Sequence, residues 1–463
     1  MSKPGLPQGT RDFGPETVRK RHFIFETIRA VFELYGYEPI ETPAMENLDT
    51  LLGKYGEEGD KLIFKVLNNG LDNPQKKEAA LIAFENILSG KNEPAITERA
   101  LRYDLTIPFA RYVATHHHQL PMPFRRYQTQ PVWRADRPQR GRYREFYQCD
   151  ADVVGSRSLV NEVELTRIYL TVFKKLGLPV EVRINHRKIL SGLAQACGGA
   201  SHLSTITTAI DKLDKIGLEK VKEELREKNL SAAQIQIVED YLQLEGSSEE
   251  KIKQLASLLP NDFTDSAISD LEFILKHFGV NQQENATGRL ASSRVVLDFS
   301  LARGLHYYTG IIFEVRAQGV AIGSIGGGGR YDDLTGLFGV PGIPGVGISF
   351  GVDRIYDVME ELNLFPETLR RSTELLFFNM GGQAAEKSFE LMETLRGLGH
   401  RCELFHEPAK FDKQFKYAEK KNIPLVVIIG EDELKSGVAK VKNLQSGIQR
   451  DLTFESLTAG HIG

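Results

Sequence analysis

Residues 124–155 are FRRYQTQPVWRADRPQRGRYREFYQCDADVVG, and this stretch is the most informative one for the fold of the large domain around it. On both sides of the segment ADRPQRGR, aromatic and β-branched residues are interleaved with arginine and other polar residues. The pattern predicts two antiparallel strands, joined by a loop that carries Pro138 and Gly141. Antiparallel sheets of this kind often keep one face free, so we expect a ligand-binding face here.

The same stretch is rich in arginine. Seven of the twenty residues 125–144 are arginine, Asp136 is the only acid among them, and Tyr127, Trp133 and Tyr143 are interleaved. Guanidinium groups bind phosphate oxygens through paired hydrogen bonds, and aromatic rings stack on bases, so the combination favours a nucleotide site. The alternative is a solvated strand face whose arginines pair with acids elsewhere.

Composition limits the classes of protein that fit. The chain has 463 residues, 41% of them hydrophobic and 26% charged, which predicts a globular protein of several domains. Lys and Arg total 58 against 62 Asp and Glu, a net charge of −4. This balance excludes a protein that holds nucleic acid by bulk charge, but it permits local basic faces.

Targeting and metal signals are weak. Cys149, Cys197 and Cys402 are far apart in the chain and match no metal-binding spacing, as expected for reduced thiols. The segment MSKPGLPQGTRDF has no apolar core of signal-peptide length, and the longest aliphatic run, 425–429, is too short to cross a bilayer. We expect a cytoplasmic protein with no membrane partner. The consecutive histidines 116–118 cannot converge on one ion, so no metal site is expected.

The order of predicted elements gives the domain organisation. An amphipathic helix at 16–35 is followed by an extended segment around Pro43. The sequence from about residue 195 to 285 predicts helix almost throughout and includes a possible capping box, Ser231 with Gln234. The predicted large domain has two parts, residues 1–190 and 289–362, with a helical insertion, 191–288, between them. A small α/β domain of alternating strands and helices follows at 373–463.

Three further clusters have weaker signals. LDFSLARGLHYYTG (297–310) places Arg303 near a tyrosine pair, which is more often core packing than a pocket, although its glycines permit close backbone approach. SIGGGGRYDDL (324–334) matches neither a Walker A loop nor GxGxxG, and its glycines are better explained by a substrate or strand approaching the backbone. Arg354 lies in the first turn of a predicted helix, a position that favours an anion.

Taken together, the motifs resemble the histidyl-tRNA synthetase family of class II aminoacyl-tRNA synthetases. The matching segments are LPQGTRDF (6–13), LRYDLTIPFARY (101–112), VWRADRPQRGRYREFYQCDADVVG (132–155), LARGLHYYTG (301–310), GGGRYDDL (327–334), GISFGVDR (347–354), KFDKQFKYAEKKN (410–422) and VVIIGEDELKSGVAKVKNL (426–444). The resemblance implies an α+β fold: a class II synthetase antiparallel sheet with flanking helices, a helical insertion, and a C-terminal α/β anticodon-binding domain. The activity implied is ATP-dependent ligation of L-histidine to its tRNA through histidyl-adenylate.

The resemblance also implies roles toward ATP, the second substrate, which binds with Mg²⁺. Arg134 would hold the α-phosphate and neutralise charge during attack, and Arg142 would reach the distal phosphates. Asp136 would accept a hydrogen bond near the adenine, and Phe146 would stack on the base. Arg354 would bind the γ-phosphate.

For histidine, the resemblance implies that Asp104 and Thr106 bind the α-ammonium group with help from Gln148, and that Leu105 belongs to the same pocket. Arg303 would be the catalytic arginine that bridges the substrate carboxylate and the α-phosphate.

The imidazole ring would be recognised by Asp152, Tyr308 and Tyr331, with Tyr307 beside them. Recognition of a ring N–H by buried polar groups can discriminate strongly, because an analogue without it leaves those groups unpaired.

Contacts with the tRNA and with a second subunit are implied as well. Gln139 would touch the acceptor end, and Lys410, Lys413 and Lys416 would belong to the anticodon-binding surface. The segment around Pro43 resembles the motif that forms the interface of a homodimer in this class.

One position departs from the family, whose motif usually has aspartate where this sequence has His306. The flanking residues are intact, so we expect a tuned site rather than an inactive one. The alternative function is a non-catalytic, synthetase-like regulatory subunit of histidine biosynthesis. Such proteins lack the anticodon-binding domain and the motif arginines, whereas both features are present here.

Overall fold

A computed structural model describes residues 4–278, 293–303 and 307–460 of the chain. His306 and Gly304 therefore lie outside the described residues. Two compact units are distinguished by their internal contacts: Met1–Asp12 with Arg21–Leu364, and Phe13–Lys20 with Phe365–Gly463.

The strands of the first unit are β1 (Glu38–Pro39), β2 (Met45–Asn47), β3 (Lys65–Val66), β4 (Arg99–Leu101), β5 (Phe124–Trp133), β6 (Glu145–Val154), β7 (Val180–His186), β8 (Arg294–Leu297), β9 (Ile311–Ala317), β10 (Gly326–Tyr331) and β11 (Gly345–Gly351). Among the described residues, eight of them form one sheet in the order β1-β5-β6-β11-β10-β9-β7-β8. Neighbours from β5 to β7 are antiparallel, whereas the two edge pairs, β1 with β5 and β7 with β8, are parallel. The sheet is thus mixed at its edges and antiparallel at its centre.

Helices up to residue 364 are α1 (Pro15–Leu34), α2 (Leu48–Leu51), α3 (Gly56–Asp60), α4 (Lys77–Leu88), α5 (Thr106–His116), α6 (Val160–Lys175), α7 (Arg187–Ala196), α8 (Leu203–Ile210), α9 (Leu213–Ile216), α10 (Leu218–Glu227), α11 (Ala232–Leu242), α12 (Ser248–Leu258), α13 (Asn261–Lys276) and α14 (Val352–Glu361). Short 3₁₀ helices occur at Pro74–Lys76, Ala200–His202 and Leu334–Phe338.

The predicted hairpin is the centre of this arrangement. β5 and β6 pair along ten residues each, from Phe124 opposite Val154 to Trp133 opposite Glu145. Side chains alternate across a strand, so Cys149 and Ala151 on β6 point to the opposite face from Gln148 and Asp150. The apolar face packs on helices, and Phe350 of β11 contacts the rings of Phe32 on α1 and of Tyr169 and Phe173 on α6. The opposite face remains available for the site.

The glycine run forms a strand rather than a loop. Gly326–Tyr331 is β10, paired on one side with β9 and on the other with β11. A Cβ at Gly328 would overlap the carbonyl oxygen of Gly347, and a Cβ at Gly329 would meet the carbonyl oxygen of Ile311 at 2.7 Å. The glycines thus allow the neighbouring strands to approach closely, which is the strand alternative that the sequence analysis gave for them.

The segment from Arg187 to Lys276 is helical, as its sequence indicates. Ser231 and Gln234 form the predicted capping box at the start of α11, and Ser247 with Glu250 forms a second one at α12. Each box satisfies backbone N–H groups that a helix start leaves without partners.

The second unit is a small α/β fold. Its elements beyond residue 364 are a 3₁₀ helix (Glu367–Arg370), β12 (Leu375–Phe377), α15 (Gly382–Gly397), β13 (Cys402–Leu404), α16 (Phe411–Lys420), β14 (Leu425–Ile428), α17 (Glu431–Ser436), β15 (Val438–Asn443), β16 (Gln449–Thr453) and α18 (Phe454–Thr458). The strand order is β13-β12-β14-β15-β16, parallel in its first two pairings and antiparallel in the last two.

No helix among the described residues is both long enough and apolar enough to cross a bilayer.

Candidate active site

A cavity of about 440 Å³ opens on the polar face of the large sheet. It collects side chains from motifs that are far apart in the sequence. The predicted site residues that line it are Asp104, Thr106, Arg134, Asp136, Arg142, Phe146, Gln148, Arg303, Tyr307, Tyr308 and Arg354.

One part of the cavity is strongly basic. Arg354 donates from Nε to the carbonyl oxygen of Gly141 and from Nη1 to that of Ser324, both at 2.7 Å. Its pKa is lowered, chiefly by burial and then by the charges of the other three cavity arginines, at 303, 142 and 134. A partly buried cation surrounded by like charges is stabilised by an anion, so this wall suits a group with several negatively charged oxygens.

Arg134 is held in place from two directions. Its Nε donates to the carbonyl oxygen of Tyr103 at 3.0 Å. Its guanidinium lies 4.2 Å from the ring centroid of Tyr103 and 5.2 Å from that of Phe146. The flanking rings orient a planar cation while leaving its remaining N–H groups available for a ligand.

An acidic group lies at another wall of the cavity. The Asp104 Oδ1 atom accepts hydrogen bonds from the Tyr55 hydroxyl at 3.0 Å and from the Ile107 backbone N–H at 3.1 Å. Burial raises the pKa of Asp104, and these hydrogen bonds together with the charge of Arg134 oppose the shift. A buried carboxylate that is only partly compensated can bind a cationic group such as an ammonium.

Gln148 and Ser349 form the floor between these walls. Gln148 Nε2 donates to Ser349 Oγ at 3.0 Å. Gln148 Oε1 is buried and has no hydrogen-bond partner among the described residues. Buried polar atoms are nearly always paired, so this oxygen is an acceptor left for a ligand or for water.

Two of the predicted imidazole-binding residues lie behind the cavity wall. Asp152 pairs with Arg126 Nη2 at 2.7 Å and accepts a hydrogen bond from the Tyr331 hydroxyl at 2.6 Å. All three side chains are buried. The backbone at Gly345 and Gly347 makes room for them, because a Cβ at either position would overlap Tyr331 or Asp152 respectively.

The other predicted residues outside the wall are Leu105 and Gln139. Leu105 is buried at the N-cap of α5, next to Asp104 and Thr106. Gln139 is exposed at the tip of the loop between β5 and β6, where its backbone pairs with that of Arg142.

The arginine-rich stretch separates into two groups, so both interpretations of it apply. Of its seven arginines, Arg134 and Arg142 line the cavity. Several of the others pair with acids away from it, as the alternative interpretation expects: Arg125 with Glu164, Arg126 with Asp152, and Arg140 with Glu361.

The cavity also contains residues that sequence reasoning missed, among them Tyr55, Tyr103, Tyr143, Ser324 and Ser349. Ser349 lies directly opposite Asp150 in the pairing of β11 with β6. The alternation of polar residues at 148, 150 and 152 was a signal for this face. The strand register that adds Ser349 could not be derived from the sequence.

In the second unit, Lys410, Lys413 and Lys416 are exposed at the start and along one side of α16. Lys420 continues this exposed row, whereas Lys421 pairs with Glu403. The four exposed lysines form a local basic surface.

A central antiparallel sheet with an arginine-lined cavity, in one chain with a small mixed α/β unit, is the organisation of a class II aminoacyl-tRNA synthetase. The profile of the family described as Histidyl-tRNA synthetase matches residues 9–74 and 96–355, and that of the Anticodon binding domain matches residues 375–460. The chain belongs to the histidyl-tRNA synthetase family.

Individual relatives agree with this assignment. The chain is 51% identical over 460 residues to a protein of Bacteroides fragilis named Histidine--tRNA ligase, covering 98% of each chain. It is also 51% identical over 460 residues to a protein of the same name from Phocaeicola vulgatus, covering 99% of each. The crystal structure of histidyl-tRNA synthetase from Nostoc sp. PCC 7120 superposes with a TM-score of 0.80 at 30% identity, covering 99% of both chains.

Proposed function

We propose that this chain ligates L-histidine to its tRNA through a histidyl-adenylate. The observation that carries the proposal is the division of one cavity into a four-arginine wall, suited to a triphosphate, and a carboxylate wall, suited to an amino acid's ammonium. The regulatory alternative is not favoured, because the arginines and the C-terminal unit that such proteins lack are both present.

In the proposed complex, Arg354 and Arg142 bind the distal phosphates of ATP, and Phe146 stacks on the adenine. Asp136, which lies 3.5 Å from Arg142, accepts a hydrogen bond near the base. Arg134 binds the α-phosphate. Its orientation by Tyr103 fixes the guanidinium before the substrate arrives, which is how electrostatic preorganisation lowers a barrier.

Histidine is oriented by the opposite wall. Asp104 and Thr106, together with Gln148, bind its ammonium group, and Leu105 holds Asp104 and Thr106 at the start of α5. Asp152, Tyr308 and Tyr331 recognise the imidazole, with Tyr307 beside them. Arg303 contacts the carboxylate and directs it toward the α-phosphorus.

The carboxylate oxygen then attacks the α-phosphorus in line. The bond from this phosphorus to the bridging oxygen breaks, and the electron pair leaves with pyrophosphate. In the second step a ribose hydroxyl of the terminal tRNA adenosine attacks the acyl carbon, and AMP leaves. Positioning and charge stabilisation supply the rate, and no covalent enzyme intermediate is needed.

Mg²⁺ enters this scheme with ATP as part of the substrate. No group of three His, Cys, Asp or Glu side chains in the described ranges is placed to hold a metal ion. Mg²⁺ is commonly bound by substrate phosphates, water and one or two carboxylates, so the phosphates are the expected ligands. Asp136, a carboxylate in the cavity wall, pairs with Arg142, and the Arg142 side chain is exposed.

The tRNA is proposed to contact both units. Gln139, exposed at the loop tip near the cavity arginines, would meet the acceptor end. Lys410, Lys413 and Lys416 would bind the anticodon region. We further propose a homodimer through the segment around Pro43, and a cytoplasmic location.

The decisive experiment is ATP–pyrophosphate exchange with each of the twenty amino acids. Exchange should be stimulated by histidine and by no other amino acid. A folded protein that shows no exchange with histidine in the presence of Mg²⁺ would refute the proposal. Aminoacylation of histidine tRNA then tests the second step.

A further inference from the structure

The motif LPQGTRDF matches the family but has no role in the proposed function. Its residues 7–11, the N-terminal segment, form a tight turn in which the Thr10 N–H and hydroxyl both donate to the Pro7 carbonyl oxygen, at 3.1 and 2.8 Å. Gly9 supplies the positive φ of 84° in this turn, a backbone conformation that glycine adopts without strain. The turn lies against the loop that joins β5 to β6.

Arg144, the last residue of that loop, connects the N-terminal segment to the cavity wall. Its backbone N–H donates to the carbonyl oxygen of Gly9 at 2.9 Å. Its side chain donates from Nε to the carbonyl oxygen of Asp136 at 3.1 Å and from Nη1 to that of Gln8 at 3.4 Å. One guanidinium group therefore ties the turn to Asp136, a residue that lines the cavity.

The segment and the arginine fit closely at Gly9. A Cβ at this position would lie 2.7 Å from Cγ and 2.9 Å from Cδ of Arg144, closer than carbon atoms pack. An alanine there would also be strained by the positive φ, so it would displace the turn or the arginine. Gly5 is different, because a Cβ there would meet no described atom within 4 Å.

Arg11 connects the same segment to the other side of the loop. Its guanidinium carbon lies 3.3 Å from the ring centroid of Tyr143, a loop residue in the cavity wall. Its Nη2 pairs with Asp353 in the first turn of α14, and the same carboxylate accepts from the backbone N–H of Tyr147 at 3.1 Å. The Tyr143 hydroxyl donates to Asp357 on α14 at 3.0 Å. The loop is thus held between the N-terminal segment and α14.

The position of this loop matters because it carries two of the proposed ATP ligands. Asp136 and Arg142 both line the cavity, and their side chains pair at 3.5 Å. The Arg142 side chain is half exposed, so little packing of its own holds it. Surface loops with few buried contacts open at low cost, and a loop that is already ordered binds its ligand more tightly because less entropy is lost.

We propose that the N-terminal segment braces the loop between β5 and β6 for ATP binding, and that Arg11 and Arg144 are the positioning residues of this brace. Neither arginine is among the described residues that line the cavity. Their effect on ATP passes through the loop residues that they hold. The proposal rests on the proposed function, because it takes ATP as the ligand.

The first test leaves the charge of the protein unchanged. Gly9→Ala should raise KM for ATP in histidine-dependent pyrophosphate exchange by roughly 3- to 10-fold, as for one lost hydrogen bond, because it displaces Arg144. KM for histidine should stay within about twofold. Gly5→Ala is the matched control and should leave both KM values unchanged. A parallel rise of both KM values in Gly9→Ala, or no rise in KM for ATP, would overturn the proposal.

The second test removes the arginines. Arg11→Met and Arg144→Met should each raise KM for ATP about 10-fold. The double variant should be no worse than the more impaired single one, because a loop that is already released has nothing further to lose. If the two factors multiply, the arginines do not form one brace, and the proposal is wrong. Arg125→Met, on the same hairpin but paired with Glu164 away from the cavity, is the control and should leave KM for ATP unchanged.

Hydrogen–deuterium exchange gives a readout that does not depend on activity. In Gly9→Ala and Arg144→Met, the amides of residues 134–144 should exchange about tenfold faster, whereas those of β9 and β11 should keep their rates. Unchanged rates in the loop, or faster rates throughout the sheet, would refute the brace.

Failure of this proposal and failure of the proposed function are distinguishable. If the unmodified protein shows no histidine-dependent pyrophosphate exchange, the proposed function fails, and the amide rates still report whether the segment holds the loop. If that activity is normal and the variants keep the native KM for ATP, only the brace is refuted.

Discussion

Arg303 donates from Nη1 to Glu314 Oε1 at 2.9 Å, and Glu314 is almost completely buried on β9. The same carboxylate accepts through Oε2 from Arg316 Nε at 3.0 Å. Arg316 in turn pairs with Asp214 on α9. The proposed catalytic arginine is therefore fixed by a buried acid, and that acid is itself linked to the helical segment between β7 and β8.

We expect Glu314→Gln to lower kcat in pyrophosphate exchange by roughly 10- to 100-fold, because a charge-assisted hydrogen bond contributes about 1.5–3 kcal/mol. KM for histidine and for ATP should change much less, since Arg303 acts on the reacting groups. Steady-state kinetics with each substrate varied measure this. Glu361→Gln, which removes an exposed partner of Arg140, is the control and should have no effect. Equal losses in both variants would contradict the prediction.

Arg354→Met should raise KM for ATP by roughly 10- to 100-fold, because it removes a partly buried cation from the phosphate wall. KM for histidine should stay within about twofold, since histidine binds to the opposite wall. Arg354→Lys should restore little, because the guanidinium uses two separate nitrogens, Nε and Nη1, for the carbonyl oxygens of Gly141 and Ser324, and an ammonium has only one nitrogen. A parallel rise of both KM values would show that Arg354 only supports the fold.

The stability of the protein should depend on pH through Asp150, whose pKa is raised from its ordinary 3.8 to about 7. Between these values the folded state keeps a proton that the unfolded state has lost, so this group's contribution to stability falls as pH rises from about 4 to 7. Asp150→Asn should therefore gain stability relative to the native protein, on the order of 1–4 kcal/mol from pH 4 to pH 8.

Urea unfolding at several pH values measures this difference. Comparison with the variant isolates the contribution of Asp150, including its coupling to the neighbouring acids Asp104 and Asp152, whose pKa values are also raised by burial. A difference between the two proteins that does not change with pH would contradict the prediction.

Gly347→Ala should destabilise the first unit by about 1–3 kcal/mol, because its Cβ would overlap the Asp152 carboxylate in a closely packed region. It should also raise KM for histidine, since it displaces Asp152. Gly351→Ala on the same strand is the matched control for stability, because its Cβ would meet the Ile325 carbonyl group no closer than 3.4 Å, an ordinary contact. Urea midpoints of the two variants should differ; if they coincide, the space at Gly347 is not required.

Lys413→Glu with Lys416→Glu should raise KM for tRNA about 10-fold or more, through lost phosphate contacts, while leaving pyrophosphate exchange unchanged. Both lysines are exposed on α16, and phosphate contacts contribute to binding in proportion to the counterions they release. The salt dependence of tRNA binding should become shallower as well. Lys435→Glu on α17 is the control for a simple change in net charge, and an equal effect there would refute a specific surface.

Several features of the site follow directly from sequence. The alternation in residues 124–155 predicts the hairpin of β5 and β6, because period-two patterning reflects the geometry of a strand. Arg134, Arg303 and Arg354 were identified from their motifs, and the structure brings all three to one cavity. The resemblance to a family adds roles for individual residues, which periodicity cannot supply. In the structure, most of the predicted site residues line one cavity.

Other features required the folded chain. The sequence of the arginine-rich stretch does not distinguish the environment of Arg134 from that of Arg126. In the structure Arg134 lines the cavity, whereas Arg126 is fully buried and pairs with Asp152. Glycine has no side chain, so residues 326–329 show no alternation of apolar and polar residues. The strand that they form is recognised only from its pairing with β9 and β11.

The hairpin of β5 and β6, the helical segment, the class of each unit and the chemistry carried by each motif could be obtained from sequence, because these depend on local spacing and residue type. The folded chain alone shows that Glu314 fixes Arg303 and that Ser349 accepts a hydrogen bond from Gln148. Those contacts depend on which strands are neighbours and in which register they pair. Neighbouring strands such as β6 and β11 are almost two hundred residues apart in the chain, and local spacing contains no information about their pairing.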